Sequence, residues 1–288
     1  MPDLIKKMDS LINRFIFEGR KFVDVSAHPY GLMDLIKHDV KSSKLVYDFE
    51  YFTLTKSTKT LISIKNLSKL DQNEDVLMLA RSIFENYLSC RYLQENEDKL
   101  DSFIANPLGL ALSHYNLQTN EETGKKEIID RDKEPRVLGI LENPSTFKMG
   151  DDKKYFYYFY DFLCTFTHCN FGVLECYTED NGMYTLNKVN YAELSRLIAI
   201  FSFSKMFESV VTVEGEEFYD KRHEKICYML VKESLELQEQ VFDVLIARYQ
   251  SHEGEFYKHR NKRMRTMLKA MKKSLKEELG SVKKSDDK

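Results

Sequence analysis

The stretch VLMLARSIFENYLSCRYLQE, residues 76–95, decides the fold. At about 100° per residue, its Leu77, Ala80, Phe84, Tyr87 and Leu88 form an apolar centre with Leu79 and Ile83 beside it. More than half of the circumference is then apolar, and a helix of that kind belongs in the middle of a bundle. Just upstream, Asp71-Gln72-Asn73-Glu74-Asp75 is a polar break that supplies caps and first-turn acids for it.

Helical patterns extend on both sides. Residues 3–20 place Leu4, Ile5, Met8, Leu11, Ile12, Phe15 and Ile16 on one stripe, which must dock on something, and a loop around Pro29 and Gly31 ends that unit. Residues 45–70 set Leu61, Ile62, Ile64, Leu67 and Leu70 opposite a Ser/Thr/Lys-rich face. The segment 117–154 collects Gly124, Pro135, Gly139, Pro144 and Gly150 and reads as an exposed insertion, mostly loop with room for a short helix. Tyr155 to Asn170 is strongly aromatic and suits a helix, with a strand as the competing reading. Residues 173–189 alternate around Asp180-Asn181-Gly182 and predict a β-hairpin. Asn190-Tyr191-Ala192-Glu193 resembles a capping box opening a helix through about Val211. Another helix is expected from about Glu216 to Tyr249, and Gly254 marks a joint before the last one. The expectation is an all-α, multi-helix bundle with a small β-hairpin near 173–189. Residues 1–254 form the bundle domain with the insertion 117–154, and residues 255–288 form a basic amphipathic C-terminal helix and tail.

Composition narrows the function classes. Of 288 residues, 42% are hydrophobic, with 19 Phe, 17 Tyr and no Trp, so core material is ample despite 31% charged residues. Five cysteines, at 90, 164, 169, 176 and 227, lack framework spacing or a C-x-x-C pair and read as reduced thiols of a cytoplasmic protein. Met1 to Lys7 hold no apolar signal region, and no run approaches the roughly 18 apolar residues of a membrane span. No Gly-rich phosphate loop, nucleophile elbow, H-E-x-x-H or kinase signature occurs, so no cofactor is expected.

Two constellations could carry chemistry. Arg81 and Glu85 stand one turn apart at the edge of the apolar stripe, in the orientation less favourable for a simple surface pair. They are either a structural ion pair bridging to a neighbouring helix or part of a site. On the aromatic helix, Tyr157, Asp161, Cys164 and His168 fall in one polar stripe, opposite Phe159, Phe162 and Phe166. That stripe is either the less buried face of the helix or a groove offering a carboxylate, a thiol and an imidazole. A zinc site or Cys–His nucleophile built on Cys164 and His168 lacks the paired spacing and the thiolate activation such sites need, so no metal ligands are assigned.

The net charge of -3 hides an asymmetry: Lys258 to Lys284 carry eleven Lys or Arg against two acids, a local +9, leaving about -12 elsewhere. Met264, Met267, Leu268, Met271, Leu275 and Leu279 give this basic segment an apolar stripe. Such a helix docks on its own body, exchanges within a homodimer, meets a protein partner, or holds RNA; in the last case Lys258, Arg260, Lys262, Arg263, Arg265 and Lys269 are the phosphate contacts.

The string LARSIFENYLSCRYL at 79–93, followed by Tyr160-x-x-Leu163-Cys164-x-x-x-His168, resembles a widespread bacterial family catalogued as a domain of unknown function, five-six-seven-seven. The resemblance covers roughly Leu45 to Asn170, and departs at Cys164, where Ser is expected, and in the insertion 117–154. It implies an all-α domain in which Arg81, Glu85, Tyr160 and His168 converge. Such domains look similar to the HEPN ribonucleases of toxin and antiphage systems, whose motif is Arg, four to six residues, then His. This chain lacks it: seven residues separate Arg20 from His28, and three separate Arg248 from His252. Two functions stand as expectations. One is a helical regulatory or scaffold module that binds a protein or nucleic acid, in a bacterial defence or stress system. The other is a metal-independent, HEPN-like ribonuclease with His168 as general acid/base, Arg81 stabilising phosphate charge and Glu85 orienting Arg81.

Overall fold

The computed structural model describes residues 2–25, 31–38, 44–131, 136–142, 147, 153–169, 171–179, 181–211, 221–251 and 258–286. Its helices are α1 (Pro2–Val25), α2 (Leu32–His38), α3 (Lys44–Lys69), α4 (Asn73–Glu95), α5 (Asn106–Ala111), α6 (Phe156–Thr167), α7 (Ala192–Val211), α8 (Lys221–Ser251) and α9 (Lys258–Asp286). The all-α bundle expected from the periodicity is what forms. Among the described residues, no helix is long and apolar enough to cross a membrane.

The middle of the bundle is α7. From Leu194 to Phe207 every residue is buried, so α7 has no solvent-facing stripe and neighbours must cover it all round. α4 lies along it, burying Leu77, Ala80, Phe84 and Leu88, and α1, α3 and α8 close further sides. α1 does so with Met8, Leu11, Ile12 and Phe15, and the Phe15 ring meets Phe203 and Phe207 edge-on at 5.3 and 5.4 Å. α1 also crosses close to α3 at Gly19, where a Cβ would stand 2.8 Å from Thr58 Oγ1. α3 presents Leu54, Leu61 and Ile64 inward, whereas Leu70, expected on that face, is 69% exposed. It lies beyond the last turn, its N–H closing on Leu67 O just before the left-handed Asp71.

Two local expectations change. The insertion is not mostly loop: β1 (Tyr115–Thr119), β2 (Lys126–Asp130) and β3 (Val137–Ile140) form an antiparallel sheet in that order. Five-residue strands split by Asn120–Lys125 give a periodicity too short to stand out among the turn residues. Residues 132–135, 143–146 and 148–152, with Pro135, Pro144 and Gly150, lie outside the described residues. The 173–189 hairpin narrows to one bridge, Thr178 to Tyr184, closed by a turn with Gly182 at φ +82°. The preceding Phe171–Cys176 is a 3-10 helix instead of a strand. At the start of α7, the Asn190 side chain bonds Glu175 O and caps nothing.

α9 packs chiefly on α8 and buries Met264, Met267, Leu268, Met271, Leu275 and Leu279 in the same core as α1, α4 and α7. Residues 258–286 therefore complete the bundle instead of trailing from it. Leu268→Ala should destabilise the chain by about 2–5 kcal/mol in denaturant unfolding, while Lys262→Ala on the outer face should stay within about 0.5 kcal/mol.

Candidate functional site

Arg81 and Glu85 on α4 face α6. The Arg81 guanidinium donates from Nε to Glu85 Oε1 (3.0 Å), from Nη1 to Thr167 Oγ1 (2.6 Å) and from Nη2 to the Tyr160 hydroxyl (2.7 Å). Tyr160 in turn donates to Glu85 Oε1 at 2.6 Å, closing a ring of three groups. The guanidinium carbon also lies 4.6 Å from the centre of the Tyr160 ring, itself stacked on Phe156. The Arg81 and Glu85 side chains are only 17% and 28% exposed.

Electrostatics follow from this enclosure. Burial pushes the Tyr160 phenol up to about 12, helped by the Glu85 carboxylate that accepts its proton, so it remains a neutral donor at physiological pH. Burial pulls Arg81 down, but the Glu85 charge and the Tyr160 contact outweigh it and hold the guanidinium above its ordinary range. Burial also raises the Cys164 thiol, the reverse of what an activated nucleophile needs.

The structure brings Arg81, Glu85 and Tyr160 together and adds Thr167, which no sequence signal marked. His168 does not join them. α6 ends at Thr167, and His168 is its exposed C-cap with extended backbone (φ -117°, ψ 153°), so the polar stripe Tyr157–Asp161–Cys164 stops one turn before reaching it. Chemically the network is a fastener: three donors of Arg81 are committed to α4 and α6.

Residues 50–184 match the model of a family of unknown function, DUF5677. The DUF5677 match spans the Arg81 network on both its helices and runs on past Asn170 through the Gly182 turn. No curated protein and no solved structure matches the chain.

The basic helix α9 lies outside the DUF5677 match, and its cations divide into two sets. Arg260 pairs with Glu175, Arg263 with Asp161, Lys272 with Asp243, and Lys276 with Glu239 at 3.4 Å. Lys258, Lys262, Lys269 and Lys273 are exposed, Arg265 is half-buried, and none of the five has an ion-pair partner among the described residues. Steps of four, three, four and four residues put these five on one stripe roughly 22 Å long. Beside the start of α9 lies a mostly apolar cavity of about 520 Å3, lined by Phe162, Phe166, Phe171, Tyr191, Met264 and Met267, with polar groups from His259, Arg260 and Arg263.

Three buried charges escaped the sequence reading. Arg196 on α7 bonds Asp9 (2.8 Å), Ser68 O (2.9 Å) and Ala192 O (2.9 Å). Lys205, also on α7, bonds Glu278 at 2.5 Å. Glu50 on α3 accepts from Gln94 at 2.7 Å. The first two interrupt an otherwise apolar run, a signal that could have exposed them.

Arg81→Ala and Tyr160→Phe should couple by about 1–3 kcal/mol in a double-mutant cycle on stability; additive losses would break up the proposed fastener. Burial raises Glu50 from 4.5 to about 7, its Gln94 bond offsetting only part of that cost. The native state thus holds this proton more tightly than the unfolded chain, and stability drains away as pH climbs from about 4.5 through about 7. Glu50→Gln should therefore be close to neutral at pH 4 and gain up to about 3 kcal/mol at pH 8 in parallel denaturation curves.

Proposed function

We propose that this chain is a helical module that binds single-stranded RNA along the outer face of α9. The observation that carries the reading is the stripe Lys258, Lys262, Arg265, Lys269 and Lys273, five cations without ion-pair partners among the described residues, on a helix where Arg260, Arg263, Lys272 and Lys276 are paired with acids of the body. Cations held in a row on a rigid helix release counterions from a polyanion without first breaking internal ion pairs. The neighbouring cavity, walled by Phe162, Phe166 and Phe171 and adjoined by Arg260 and Arg263, offers apolar and aromatic surface of the kind bases stack on. A protein partner would be recognised through apolar anchors, and the anchors of α9 are already buried in the core.

The Arg81 network supports this binding reading over ribonuclease chemistry. Its guanidinium is engaged by Glu85, Tyr160 and Thr167, and the His168 imidazole makes none of the network's hydrogen bonds. A group that must meet a developing phosphate charge needs donors aimed at it, not donors already satisfied.

Binding of a fluorescent single-stranded RNA should weaken steeply with salt, with a slope of log K against log salt near about -3.5 if all five cations meet phosphates. Reversing Lys262, Arg265 and Lys269 to Glu should flatten that slope by about 2 while leaving the melting temperature nearly unchanged. Salt-independent binding, or full affinity in the triple variant, would remove α9 as the interface. RNA cleavage by the wild type that disappears in a folded His168→Ala protein would instead establish the nuclease.

A further inference from the structure

Away from both the Arg81 network and the basic stripe, α1 and α8 bring three unlike ligand types to one point. Glu18 on α1 faces His223 and Cys227 on α8, and one carboxylate oxygen, one imidazole nitrogen and the sulfur all lie within 4.8 Å of one another. His223 Nε2 is already 2.9 Å from Glu18 Oε2. His223 is 5% exposed and Cys227 is fully buried, and the Glu18 side chain is only 12% exposed.

We propose that Glu18, His223 and Cys227 form a zinc site that clamps α1 to α8. The spacing supplies the first reason. His223 and Cys227 stand four apart on a helix, so both project from one face a single turn apart, the arrangement by which helices present paired metal ligands. The donor set is the second. Imidazole nitrogen, thiolate sulfur and carboxylate oxygen together suit a borderline-soft ion such as Zn2+ and do not suit Mg2+ or Ca2+, which demand oxygen. Geometry is the third. Zinc bonds of about 2.0–2.3 Å at tetrahedral angles put ligand atoms roughly 3.3–3.7 Å apart. Reaching that spacing requires the His223–Glu18 contact to open by a few tenths of an ångström and the sulfur to close by no more than about an ångström, a rotamer adjustment and not a helix movement.

Charge balances as well. A Glu18 carboxylate and a Cys227 thiolate together neutralise Zn2+, the thiol proton passing to solvent as the Zn–S bond forms and the imidazole binding as its neutral form. Among the described residues three ligands come from the protein, and water completes the fourth position. One turn before Glu18, Arg14 bridges to Glu233 of α8 at 2.5 Å, so the two helices are also tied on one side of the site without the metal. The chain therefore folds around a preformed site, and the metal adds to a contact already made.

The test uses full-length, reduced protein stripped of metal by chelation, titrated with Co2+ and then with Zn2+. A one-to-one complex should form, with the visible bands of tetrahedral Co2+ and a near-ultraviolet thiolate-to-cobalt band that Zn2+ abolishes by displacement. Zn2+ should also raise the melting temperature. Cys227→Ser should lose the thiolate band, and His223→Ala should lose high-affinity binding, both with wild-type helicity by circular dichroism. Cys169→Ser, at an exposed thiol, should keep every signal. Absence of a one-to-one complex in the folded wild type overturns the proposal, as does a thiolate band that survives Cys227→Ser. Should either variant fail to fold, Glu18→Gln, which keeps the side chain's size, decides: undiminished Zn2+ affinity there refutes the site.

Discussion

A helix buried on every side is the constraint from which the rest of this molecule follows. α7 exposes no stripe, so every charge it carries must find its counterpart inside the protein. Arg196 does so by gathering Asp9 of α1, the last turn of α3 through Ser68 O, and, at 3.4 Å, Asn73 at the start of α4. One guanidinium thereby ties α1 and two helix ends, those of α3 and α4, to α7. Lys205, three turns further on, sits 5.3–5.9 Å from the rings of Phe201, Tyr87 and Tyr155 and reaches Glu278 on α9. A buried ion pair of this kind contributes little net stability, yet breaking it leaves an uncompensated charge, so it selects one placement of α9 against all others.

How much of this was legible depended on what periodicity encodes. A one-sided stripe names the buried face of its own helix, which is why α1, α3, α4 and α9 emerge from spacing alone. It does not say which helix will be central. Residues 76–95 and 192–211 both look apolar over most of their surface, but Arg91 and Glu95 keep one flank of α4 at the surface, whereas the charges of α7 are taken up by partners distant in sequence. The end of α6 was misplaced for a similar reason. Nothing in Thr167-His168-Cys169 breaks a helix; the stop comes where Thr167 turns its hydroxyl onto Cys164 O and accepts from Arg81.

The same distinction separates the legible from the hidden part of the candidate sites. Arg81 and Glu85 are one turn apart, and Tyr160 and His168 shared a recognisable string, so their neighbourhood could be anticipated; which of them meet could not, because it depends on where α6 stops. On α9 the six phosphate-contact residues named from sequence look alike. Only the tertiary positions of Glu175 and Asp161 divide them, pairing Arg260 and Arg263 and leaving Lys258, Lys262, Arg265 and Lys269 without an acidic partner among the described residues. The proposed metal cluster is hidden most deeply, since His223 and Cys227 are near in sequence but Glu18 lies about two hundred residues away.

The division of cations on α9 also bears on how a polyanion would be oriented. The rest of the chain, at about -12, disfavours a polyanion overall, and Glu175, Asp161 and Asp243 are each paired with a cation of α9. These pairs thus do two things at once: they hold α9 against the core beside its Met and Leu stripe, and they reduce the negative charge that Glu175, Asp161, Glu239 and Asp243 present to the unpaired row. A helix held only by apolar contact would roll with little penalty and mix the two rows. With ion pairs on its flanks, rolling would break them, so a polyanion bound there would meet a register the protein has already set.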